Sequence, residues 1–117
     1  MGLTVETRVL GEIAVVHLAG KLVFRDEARA LSEHVVELLD RRLSVVLNLE
    51  EVTTIDGGGL GVLVASSKRA ETRGLALKIC NLDARLREVF AITNLYQVLD
   101  VHEHEEAALE SFGARAA

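Results

Sequence analysis

The chain has 117 residues, half of them hydrophobic, with one cysteine, no proline and a net charge of −5. That length suits one domain over residues 1–117, and the apolar share suffices for a core without a disulfide or structural metal. The acidic balance and the 3% of aromatic residues leave neither a basic face for phosphates nor platforms for bases, so nucleic acid and anionic membrane surfaces are not expected as partners.

The four aromatics are Phe24, Phe90, Tyr96 and Phe112, so the core is expected to be aliphatic. Cys80 sits in the apolar run Leu77 to Leu82 and reads as a buried small hydrophobe. No apolar run approaches the ~20 residues of a membrane span. No basic segment followed by an apolar stretch marks a leader, so a cytoplasmic location is expected.

Residues 3–10 alternate weakly and predict an edge strand. Gly11-Glu12 is a turn signal, and Ile13 to Leu18 is a nearly continuous apolar run ended by Gly20, so the two strands predict a hairpin. Asp26 is placed to cap a helix to about Arg42, with Ala28, Leu31, Val35, Leu38 and Leu39 on one face. Ser44 to Leu49 predicts a central strand. After Gly57 to Gly59 a helix is expected to about Arg73, stopped by Gly74. Leu75 to Cys80 reads as a strand, Asp83 as the cap of a helix to about Ala91, Val98 to Val101 as a short strand, and Glu103 to Phe112 as a last helix. Residues 113–117 are expected to fray. Strands alternating with helices imply an α/β fold with parallel crossovers and one antiparallel edge.

Three segments invite a chemical reading. A Gly-rich turn before a helix is often a phosphate cradle. Here a dinucleotide fingerprint would need glycine at position 62, which is Val62, and no Gly-Lys-Ser/Thr follows for a P-loop. Asp56 reads as the helix cap, since no neighbouring base, acid or metal ligand makes it catalytic. His102-Glu103-His104 lacks the third ligand that catalytic zinc requires and reads as solvated surface. His17 and His34 are isolated, and Ser32, Ser66 and Ser67 lack a nucleophile context. No enzymatic constellation, metal site or cofactor is expected. Lys68, Arg69 and Arg73 form a mild basic stripe on the second helix, either solvated surface or a patch that steers a charged partner.

The stretch Val45 to Leu49 followed by Val52-Thr53-Thr54-Ile55-Asp56-Gly57-Gly58-Gly59-Leu60-Gly61 resembles the STAS domain of bacterial anti-sigma factor antagonists, whose pattern is a hydrophobic strand and then Ile-Asp-Ser-Ser-Gly-Leu-Gly. Leu18 to Leu22, Leu75 to Ile79 and Val89 to Leu95 are similar to its flanking segments, so the resemblance spans essentially the whole chain. It implies a STAS-like mixed sheet of about five strands and about four helices. It also implies a transcription regulator that binds an anti-sigma factor of serine-kinase type, a kinase that phosphorylates the first serine after the aspartate. That phosphoserine position is Gly57 here, a degenerate site without a hydroxyl, and the second serine is Gly58. The resemblance assigns partner contact to Asp56, Gly57, Gly58, Gly59, Leu60 and the exposed side of the following helix. Thr53 or Thr54 is an alternative phosphosite. A scaffold subunit of a stressosome-like signalling assembly of STAS proteins, or an accessory part of a transporter, is the rival role. A monomer or weak dimer is expected for the antagonist, and nucleotide binding is a third possibility.

Overall fold

The computed structural model describes residues 2–113; of the tail expected to fray, 113–117, all but Gly113 lies outside the described residues. The elements are β1 (Leu3–Leu10), β2 (Ile13–Leu22), α1 (Asp26–Asp40), β3 (Ser44–Ile55), α2 (Gly57–Thr72), β4 (Leu77–Cys80), α3 (Ala84–Ile92), a 3-10 turn (Leu95–Gln97), β5 (Asp100–His102) and α4 (Glu105–Glu110). The strands form one sheet in the order β1-β2-β3-β4-β5. β1 pairs antiparallel with β2, and the other three pairings are parallel. The mixed α/β fold therefore stands as the sequence predicts.

One face of the sheet meets α1, α2 and α3. Val16, Leu18, Val45, Leu47 and Ile79 face Leu31, Val35, Leu63 and Phe90 there in one apolar cluster. The other face carries a smaller cluster of Ile13, Val15, Val46 and Cys80 beneath Ala108 of α4. The alternation of buried residues along β2 and β3 thus supplies two cores, as a sheet covered on both faces requires.

Several boundaries differ from the sequence reading, each for a tertiary reason. β2 does not stop at Gly20 but runs on to Leu22, with register irregularities on either side of Gly20. That extension gives β3 a partner as far as Ile55, six residues beyond the predicted end at Leu49. Asp26 is not the cap of α1; it is the first helical residue, and Arg25 occupies the cap position without a side-chain bond. Arg42, with φ of 63°, lies past the end of α1. β4 starts at Leu77 because the Leu75 amide is used by the Ala70 carbonyl, beside Gly74 at φ of 71°. The 3-10 turn displaces the last strand to Asp100–His102, and α4 starts correspondingly later.

Cys80 is fully buried. Burial pushes its thiol up to about 12, with the charges of Glu105 and Glu50 adding to the shift. The folded chain is expected to react with a thiol reagent far more slowly than the denatured chain; equal rates at pH 8 would show that α4 does not shield this face.

Candidate functional site

β2 and β3 run parallel and end side by side, with Leu22 opposite Ile55. The chain leaves these ends as two turns, Val23-Phe24-Arg25 and Asp56, and Asp56 ties them together. Its Oδ1 accepts from the Gly59 amide at 2.9 Å, which caps α2. Its Oδ2 accepts from the Phe24 amide at 3.1 Å, which fixes the entry to α1. One carboxylate thus serves two helix starts.

These bonds, Gly59 first and Phe24 second, hold the Asp56 carboxyl below its ordinary value of 3.8 against the opposing effect of burial. A carboxyl lowered in the folded state contributes its full stabilisation above its unfolded value. That contribution is lost as the pH falls below 3.8 and through the lowered folded value. The Gly59 and Phe24 amide signals are therefore expected to hold constant down to that pH and to move together below it. Movement near pH 6 would show that another group controls the turn.

The three glycines of the turn meet different surroundings. At Gly57 a Cβ would find no heavy atom within 4 Å, and the residue is exposed. At Gly58 it would come within 2.7 Å of the Phe24 side chain. At Gly59 it would lie 2.2 Å from the Leu22 carbonyl oxygen, a backbone atom. Gly58 and Gly59 are both held to glycine by main chain, the Phe24 Cα at 2.9 Å from the first and the Leu22 carbonyl oxygen at 2.2 Å from the second, and the closer approach is that of α2 to β2. Leu60 is half-buried and packs against the main core, so the solvent side of α2 is offered by Gly61 and Ala65.

The sequence reading passed over Phe24 and Arg25. Phe24 is 62% exposed. Arg25 has φ of 80° and ψ of −116°, a region that favours glycine and costs an arginine about 1–3 kcal/mol. Its guanidinium lies 5.3 Å from the centroid of the Phe24 ring. The available signal was an aromatic residue that falls on no apolar face, just before the helix.

The remaining candidates do not gather at this turn. The Thr53 hydroxyl donates to the Gly20 carbonyl at 3.2 Å, and its own carbonyl accepts from Arg85. His102 lies 2.9 Å from Asp100, while exposed His104 is 3.6 Å from Glu103. Among the described residues no group of three His, Cys, Asp or Glu side chains is placed to hold a metal ion. His17 sits 3.5 Å from Glu51, and His34 2.7 Å from the Thr7 hydroxyl, so both are partnered.

The family model for the STAS domain matches residues 4–108. The chain belongs to the STAS domain family. It is 32% identical over 95 residues to the anti-sigma-B factor antagonist of Bacillus subtilis, covering 81% of this chain and 86% of that one. Its fold is similar to an anti-sigma factor antagonist from Mycobacterium paratuberculosis, with a TM-score of 0.80, 17% identity and coverage of 93% and 92% of the two chains. It is also similar to the antagonist SpoIIAA in its unphosphorylated form, with a TM-score of 0.77, 17% identity and coverage of 93% and 96%. Among the described residues no helix of this STAS chain is long and apolar enough to cross a membrane.

Proposed function

We propose that this STAS chain is an anti-sigma factor antagonist-like binding module, without catalysis of its own, that engages an anti-sigma factor of serine-kinase type. Asp56, Gly57, Gly58, Gly59 and Leu60 form the centre of the contact, with Phe24 beside them. Binding proceeds without the serine phosphorylation switch.

One observation carries this reading. Position 57 is open and sits at a helix N-terminus, the turn around it is intact, and it carries no hydroxyl. The rigid parts, Asp56 with its two bonds and Gly59 against Leu22, remain in place. A phosphate would add about −1.5 to −2 charges at this spot. With glycine there, the kinase of such a pair has nothing to modify, and the complex persists. Exposed Thr53 and Thr54 stand one turn of chain away, at the end of β3, and replacing both by alanine is expected to leave signalling unchanged.

The test is reconstitution with the host's anti-sigma factors of kinase type, with and without ATP. The expected result is a stable complex in both cases, with no phosphate on this chain and a monomer or weak dimer when it is alone. Phosphate uptake that ejects the chain would overturn unswitched binding. A large particle built with other STAS proteins, and no capture of a kinase-type partner, would replace the antagonist role by a scaffold.

A further inference from the structure

We propose that the groove between α1 and α2 seats an acidic amphipathic helix of a partner protein, with Phe24 as apolar anchor and Arg25, Arg29 and Arg69 as its charged rim. This rests on the reading of the adjoining turn as a partner surface, and it names the chemistry of what binds there.

The groove encloses about 440 Å³ and begins at Gly58. On the α2 side its lining includes Gly58, Gly61 and Ala65, spaced three and four residues apart and therefore on one helix face. Small side chains leave the helix backbone low, so another helix can approach closely. Phe24 forms one wall. It is exposed but not free, because its amide is held by Asp56 and its side chain lies against Gly58. A fixed, exposed aromatic beside arginine is the composition in which binding energy concentrates.

The charge selects the partner. Arg25 and Arg29 line the groove, and no Asp or Glu does. Arg69 reaches its far rim, 3.4 Å from the hydroxyl of Ser32, which also lines it. Arg8, Arg73 and Lys78 pair with the chain's own Glu105, Asp40 and Asp100. Among the described residues no salt bridge engages Arg25, Arg29 or Arg69. On a chain of net charge −5, this concentration of guanidinium groups at one groove suits carboxylates supplied from outside. Two flanking helices and a low floor suit a helical occupant that lays its apolar face inward.

The probe is a synthetic amphipathic helical peptide with leucine on one face and glutamate on the rest, compared with its Glu→Gln counterpart by calorimetry and amide chemical shifts on the full chain. Three exposed ion pairs of ordinary strength multiply to about tenfold, so the glutamate peptide is expected to bind about tenfold more tightly. The preference should fade with salt, and the shifts should centre on Arg25, Arg29, Gly61 and Ala65. Combined Arg25→Glu, Arg29→Glu and Arg69→Glu should remove the preference. Arg25→Gly, which relieves the backbone, should keep the fold and lose part of it. Equal binding of the two peptides, shifts elsewhere, or self-association through these same amides would overturn the proposal. Anti-sigma factor capture unchanged in the triple variant would overturn the groove and leave the antagonist reading standing. Peptide preference with no such capture would do the reverse.

Discussion

Gly57→Ser is expected to turn an unswitched binder into a releasable one. The substituted chain should fold as before, because a Cβ at this position meets no heavy atom within 4 Å. Before ATP is added it should bind a kinase-type anti-sigma factor with nearly unchanged affinity. After ATP the new hydroxyl is exposed on the first residue of α2, where a kinase can reach it. In the free chain the helix N-terminus tolerates the product, and the macrodipole contributes about 0.3–1 kcal/mol. In the complex the same group must be desolvated beside the Asp56 carboxylate, a penalty of several kcal/mol for a buried ion. Even about 3 kcal/mol corresponds to a loss of more than ~100-fold in affinity. Intact-mass spectrometry reports the phosphate, and titration before and after ATP reports the affinity. A chain that is phosphorylated and still held would place position 57 outside the interface. Gly58→Ser serves as the contrast, since its Cβ runs into the Phe24 side chain at 2.7 Å and the Phe24 Cα at 2.9 Å, so the backbone of the β2–α1 turn must move first.

The parts of this fold legible in the sequence are those governed by local chemistry. Asp56 and Asp83 read as caps, and both accept from the amide three residues on, Gly59 at 2.9 Å and Leu86 at 2.8 Å. The buried face of α1 follows from its spacing, and all five predicted residues are buried. Asp26 resembles the other two aspartates in sequence, yet the positive φ of Arg25 shifts the helix start and leaves it in the first turn. No property of Asp26 itself announces this. The length of β3 was hidden because Glu50-Glu51 looks like a strand end, whereas pairing with the extended β2 carries the strand to Ile55. The site shows the same division. The glycine turn was legible as a motif. The contribution of Phe24 depends on a carboxylate 32 residues away in sequence and becomes visible only when β2 and β3 end together.

Gly59→Ala should be the most damaging single methyl group in the turn. It is expected to cost about 3 kcal/mol or more, at the upper end for overpacking, and to lower Tm by roughly 10 °C. The added carbon would lie 2.2 Å from the Leu22 carbonyl oxygen and 2.9 Å from Ile55 Cγ1. The first of these is main chain in the sheet and cannot rotate away, so α2 itself must move. That movement pulls the Gly59 amide from Asp56 Oδ1, and with it loosens the carboxylate whose other oxygen holds Phe24. Stability and partner binding are therefore expected to fall together. Gly61→Ala is the control two residues along the same helix, where a Cβ meets no heavy atom within 4 Å. There the loss of backbone freedom in the unfolded chain should raise stability by about 0.5–1 kcal/mol. Thermal unfolding of the pair separates the two roles of glycine in this turn. A Gly59→Ala chain as stable as Gly61→Ala would mean that α2 does not press against the end of β2, and the fixed geometry on which Asp56, Phe24 and the open position 57 depend would go with it.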